Sequence, residues 1–158
     1  MAEPFADIII RRIVEAARLY HRLVLVVAPV GTGKTAALQQ VRERTAAPLI
    51  NVNLELSLRM LDFTERQRTL QLPRLLAEIV AANKTDLILL DNTELLFDVS
   101  FQQDPLRLLQ GLSRNKTVVS SWCGCVQGGN LTYATPGHPE YRRYPIQDIL
   151  IVQSETKP

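Results

Sequence analysis

From Ala28 to Thr35 the chain reads Ala-Pro-Val-Gly-Thr-Gly-Lys-Thr, an alanine followed after four residues by Gly-Lys-Thr. Gly31 and Gly33 admit backbone conformations closed to residues with a Cβ, so successive N–H groups can turn inward as a nest for an anion. A helix opening at Lys34 adds its unsatisfied N-terminal donors and the positive end of its dipole. This is chemistry for a polyphosphate. Pro29, Val30, Gly31, Thr32, Gly33, Lys34, Thr35 and Ala36 are the residues expected to wrap it. Lys34 is expected to reach the β and γ phosphates, and Thr35 to put its hydroxyl on Mg²⁺, an ion that keeps several waters and takes one or two protein ligands in such sites. The bland alternative is a strand-to-helix turn with a surface Lys-Thr. The apolar run Leu23–Val27 before the motif and the helical pattern after it argue against that alternative.

A second cluster complements the first. Leu87-Ile88-Leu89-Leu90-Asp91 is an apolar run closed by an acid, the form of a Walker B strand, and Asp91 is the expected partner of Thr35 on Mg²⁺, directly or through water. Many ATPases with an extra strand between the two Walker strands follow this Asp with a Glu that polarises the attacking water. Here the next residue is Asn92, whose amide cannot accept a proton as a carboxylate does. The general base is then Glu94, three residues on, or Glu55, just past the second strand, or hydrolysis is slow. Ser120-Ser121, at a strand end, is a weak candidate for sensing the γ-phosphate. Arg142 and Arg143, read as lying just before the last strand, are candidates to enter a neighbouring subunit's site, where such an arginine can be worth ~10³–10⁵ in rate. Two solvated arginines are an equal reading. Arg114 precedes the fourth strand and so lies at the wrong end of the sheet. Asn83-Lys84-Thr85-Asp86 spells a guanine-reading signature but precedes the Walker B strand, so it reads as a helix end and turn, and ATP is preferred over GTP by elimination.

Residues 5–21 place Ile9, Ile10, Ile13, Val14 and Ala17 on one helical face opposite Arg11, Arg12, Glu15 and Arg18. Strands are expected at 23–28, 49–54, 87–91, 117–122 and 146–152, and helices at 34–45 and near 104–113. The stretch 55–83 reads as two helices with Pro73 marking a break or kink. Gly128-Gly129-Asn130 signals a turn into a short hairpin at Leu131–Tyr133. Strands alternating with helices predict an α/β P-loop NTPase fold, a parallel five-stranded sheet in the order 5-1-4-3-2 flanked by helices, without a separate lid domain. Residues 1–158 are read as one nucleotide-binding domain with an N-terminal helix.

Hydrophobic residues make up 46% and charged residues 22% of the 158, with a net charge of +2. Those proportions suit a soluble globular chain, and no run approaches a membrane span, so a cytoplasmic protein without membrane contact is expected. The arginines are interleaved with carboxylates, which reads as solvated faces before a nucleic-acid stripe; Arg66, Arg68 and Arg74 on one helix keep direct DNA contact as an open alternative. Cys123 and Cys125 form a C-x-C that would need both His21 and His138 to complete a zinc site, so reduced thiols at a strand end are the preferred reading.

The chain also resembles the small P-loop (BrxF-type) proteins of BREX phage-defence systems. The resemblance is carried by Ala28–Thr35, Asn51–Ser57, Leu90–Asp98, Asp104–Asn115 and Tyr133–Tyr141. It implies an antiviral component that binds ATP and Mg²⁺ and acts with other BREX proteins, among them a large ATPase, a DNA methyltransferase, an alkaline-phosphatase-like protein and a helicase. The leading expectation is an ATPase working as a homo-oligomer. Its rival is a nucleotide-gated interaction module with little turnover, and a DNA-binding accessory subunit is the third.

Overall fold

The computed structural model describes residues 4–28, 33–134, 136–146 and 149–153. Its frame is set by strands too apolar to face water on either side. β1 (Leu23–Ala28) is buried at every position. Leu23, Leu25 and Val27 enter one apolar layer, and Val24 and Val26 enter the other. β3 (Leu87–Asp91) and β4 (Thr117–Gln127) divide in the same way, with Ile88, Leu90 and Val118 on the first side and Leu89 and Val119 on the second. A strand covered on both faces has no polar side to alternate, which is why these segments read as continuous apolar runs.

With β2 (Leu49–Asn51) and β7 (Leu150–Gln153) these strands form a sheet in the order β2-β3-β4-β1-β7, parallel at every step. On one face lie α1 (Phe5–Ala16) and α2 (Lys34–Thr45), packed through Ala6, Ile9, Leu38 and Val41. On the other lie α3 (Val52–Arg59), α4 (Glu65–Ala81) and α5 (Pro105–Leu112), whose Leu56, Leu72, Leu76 and Leu109 are fully buried or nearly so. Among the described residues no helix is long and apolar enough to cross a membrane.

Several boundaries differ from expectation. The first helix stops at Ala16 rather than residue 21, because the chain must turn to enter β1, and Arg22 N donates to Ser113 O at 2.9 Å to fix that turn. The second strand ends at Asn51, not residue 54. The Asn51 side chain accepts from Leu54 N and starts α3 there, burying Val52 and Leu56 one helical turn apart. Two helices do occupy the following stretch, but they divide at residues 60–64. Thr64 and Gln67 form a reciprocal capping box there, while Pro73 sits inside α4.

Among the described residues the sheet has seven strands, the five parallel ones and two antiparallel additions. β4 continues five residues past Trp122, and its end pairs antiparallel with β5 (Asn130–Tyr133), which pairs with β6 (Arg142–Pro145). The last strand, expected over 146–152, is β7 at Leu150–Gln153, and β6 precedes the expected span; residues 147 and 148 lie outside the described part.

Candidate functional site

The site lies where the C-terminal ends of β1, β3 and β4 meet the N-terminus of α2, the end of a parallel sheet at which ligands bind in open α/β folds. Ala28 closes β1 and is in register with Cys123 on β4, while Asp91 closes β3. Gly33 is the N-cap of α2 with φ of 89°, and a Cβ built on it would meet nothing within 4 Å, so the backbone conformation and not crowding calls for glycine. Pro29, Val30, Gly31 and Thr32 lie outside the described residues.

Lys34 is only 6% exposed, and its Nζ donates to Ala28 O at 2.8 Å, so the ammonium is turned back toward the end of β1. Thr35 Oγ1 donates to Asp91 Oδ2 at 2.6 Å, and Asp91 is 6% exposed. These groups share a cavity of about 300 Å³ with Gly33, Asn92, Glu94 and Cys123. Ala36, also expected here, is exposed on the first turn of α2.

The segment after Asp91 is held from two sides. Asn92 has φ of 53°, a left-handed conformation that Asn tolerates better than most residues. Its carbonyl accepts from Asn53 N at 2.8 Å, and the Asn53 Oδ1 accepts from Leu95 N at 2.8 Å. From β4, Ser121 O accepts from the buried Thr93 Oγ1 at 3.1 Å. A 3-10 turn over Glu94–Phe97 follows, presenting Glu94 to the cavity. Glu94 Oε1 lies 4.0 Å from Cys123 Sγ, and Oε2 is buried with no hydrogen-bond partner among the described residues. An unsatisfied buried carboxylate oxygen is costly, by about 1–3 kcal/mol or more, and marks a place where a donor is wanted. Burial pushes the Cys123 thiol above its ordinary pKa; the Lys34 charge opposes that rise and the Glu94 and Asp91 charges add to it.

Other predicted residues fall elsewhere. Glu55 sits in the first turn of α3, 3.8 Å from Arg59, and lines a different cavity with Leu49 and Asn83. Ser120 and Ser121 are buried, and Ser120 Oγ donates to Ser121 O. Because β4 runs on, the side chain it contributes to the cavity is that of Cys123, two residues later on the same strand face. Arg142 and Arg143 stand on β6 rather than on a loop before the last strand. Arg142 Nη2 donates to Gln103 O at 2.7 Å, and Arg143 is exposed. Arg114 lies over the Tyr20 ring at 5.3 Å, at the opposite end of the sheet. Asn83–Asp86 is the turn entering β3, where Lys116 Nζ donates to Asn83 O and Asp86 O accepts from Thr117 N. On α4, Arg68 Nε donates to Phe63 O, and Arg74 engages Gln71 and Glu78.

Two residues of the site were missed by sequence reasoning. Cys123 follows Ser121 by one strand period, a signal that a longer fourth strand makes readable. Asn53 had no local signal, since its partners are 39 and 42 residues away. Compared with known proteins, the chain matches no family model and no curated sequence.

Proposed function

We propose that this chain is a P-loop protein that binds Mg-ATP and hydrolyses it, with Glu94 as the general base. The observation that carries the reading is the 2.6 Å hydrogen bond between Thr35 and Asp91, 56 residues apart in sequence. It joins a hydroxyl at the start of a helix to a carboxylate at the end of a central parallel strand, two hard oxygens of the kind Mg²⁺ takes. The sheet order supports the same reading, for with β7 counted as the fifth parallel strand it runs 5-1-4-3-2. The cavity beside the pair, with Gly33 and Lys34 on its wall, fits a chain of phosphates.

When bound, Mg²⁺ would neutralise charge on the β and γ phosphates and order them in line for attack. Thr35 and Asp91 are the residues that would hold it. Lys34, freed from the Ala28 carbonyl, supplies positive charge to the phosphate oxygens. Glu94 accepts the proton of an attacking water, a role for which Asn92, an amide, is chemically unfit. Arg142 donates to Gln103 O within its own chain and Arg143 is exposed, which favours Arg143 over Arg142 for a role in a neighbour's site. The resemblance to BREX components extends the proposal to a cytoplasmic homo-oligomer acting with other BREX proteins in antiphage defence. Asn92 favours a second reading, a nucleotide-gated interaction module in which turnover is incidental.

Calorimetry with Mg-ATP and steady-state phosphate release test both. Lys34→Ala should weaken binding roughly 10- to 100-fold, the weight of ~1.5–3 kcal/mol for a charged hydrogen bond. Glu94→Gln should retain binding and lose turnover. No heat with well-folded wild-type protein would sink the proposal; binding with equal, negligible turnover in wild type and Glu94→Gln would establish the gated module instead.

A further inference from the structure

The hydrogen bonds around residues 92–95 assign a role to a side chain outside the cavity. We infer that Asn53 is a positioning residue for Glu94, an inference that rests on the reading of Glu94 as the base. Asn53 sits in the first turn of α3, one helix removed from the phosphate-binding elements. Its main-chain N–H is bound to Asn92 O and its side-chain oxygen to Leu95 N, both at 2.8 Å, so a single residue brackets Glu94 on either side. The bracket acts on backbone, at a segment that opens with Asn92 in the left-handed region at φ 53°. Thr93, bound to Ser121 O, pins the same segment from the opposite direction. Between these ties the Glu94 side chain is held with Oε1 against Cys123 and Oε2 enclosed. Removing the Asn53 side chain unties Leu95 N and lets the 3-10 turn carrying Glu94 relax. Misplacement of a reacting group by about 1 Å can cost ~10²-fold in rate.

Asn53→Asp keeps an oxygen at the accepting position, whereas Asn53→Ala does not. In steady-state assays Asn53→Ala is expected to lower kcat about tenfold with KM and Mg-ATP affinity unchanged, and Asn53→Asp to restore most of it. A merely structural role would lower melting temperature or raise KM in both variants, or leave kcat intact, and would overturn the inference.

A second measurement needs neither nucleotide nor turnover. In a Cys125→Ser background, the rate at which a maleimide alkylates Cys123 reports on Glu94, whose negative charge favours the thiol over the reactive thiolate. Glu94→Gln should speed alkylation about threefold, Asn53→Ala should speed it comparably, and Asn53→Asp should leave it near the starting rate. If Glu94→Gln alters the rate and Asn53→Ala does not, Asn53 does not hold Glu94. If Glu94→Gln alters nothing, Glu94 does not stand beside Cys123 and the inference falls with that placement. Failure of Mg-ATP to bind sinks the functional reading instead, while the alkylation result still decides whether Asn53 positions Glu94.

Discussion

The half-buried Tyr144 ties two segments together and shows how such a tie responds to pH. Its hydroxyl donates to Asp104 Oδ1 at 2.8 Å, and the same Asp104 carboxylate caps α5 by accepting from Arg107 N. Burial, and then the bond to Asp104, hold the phenol's pKa well above its ordinary value. The folded state thus keeps a proton that the unfolded chain releases near pH ~10. Stability from this group is fully present below that pH and is lost as pH rises through the unfolded value toward the folded one. Tyr144→Phe should therefore cost about 1 kcal/mol at neutral pH, for the lost hydrogen bond, and give a shallower decline in unfolding free energy above pH ~10. Denaturant titrations at a series of alkaline pH values check both. Tyr133, raised mainly by burial, retains part of the alkaline loss in the variant.

At the scale of elements, α4 runs on through Pro73, where a proline ordinarily ends a helix. Pro73 has no N–H for the carbonyl one turn back, that of Thr69, and a helix interior usually breaks at such a gap. Here Gln103 Nε2 donates to Thr69 O at 2.9 Å and also to Phe101 O, so a side chain from the loop before α5 fills the place of the missing helical donor. That compensation is 34 residues away in sequence and leaves no local trace. Gln103→Ala is expected to cost about 1 kcal/mol in the natural chain and measurably less beside Pro73→Ala, where residue 73 regains its own N–H. Equal costs in the two backgrounds, from a double-mutant cycle of chemical unfolding, would show that the Gln103 bond does not stand in for the helix. By contrast the capping box of Thr64 and Gln67 and the proline-led start of α5 after Asp104 are local chemistry, and helix starts of this kind are readable from sequence.

Across the whole molecule, β4 carries the transition from parallel sheet to antiparallel hairpin, and Gly124 is the residue that permits it. A Cβ built there would meet Thr132 O at 1.9 Å and Trp122 Nε1 at 3.0 Å, because the Trp122 indole donates to that same carbonyl across the face of the strand. Phe97 stacks on Tyr133 with centroids 3.6 Å apart and meets Trp122 edge-on at 4.9 Å, so this junction also backs the 3-10 turn that bears Glu94. Gly124→Ala should destabilise the fold by about 2–4 kcal/mol, since backbone rather than a flexible side chain must move. Thermal unfolding and near-ultraviolet circular dichroism of Trp122 are the measurements. An unchanged melting temperature with an unchanged aromatic signal would contradict the close approach.

The buried strand cores at Leu23–Ala28 and Leu87–Asp91 and the start of α2 at Lys34 are legible in the chain alone, because each rests on neighbours a few residues apart. The pairing of Thr35 with Asp91 is expected from their motifs and appears in the fold as a direct hydrogen bond, whereas the folded arrangement alone brings Cys123 rather than Ser121 to the cavity, sets Glu55 beside another cavity and has Asn53 bracket Glu94. Those outcomes depend on how far β4 extends, on where a side-chain cap ends β2 and starts α3, and on bonds between segments dozens of residues apart. Such contacts form only when the sheet brings the strand ends together, and no local preference of the chain encodes them.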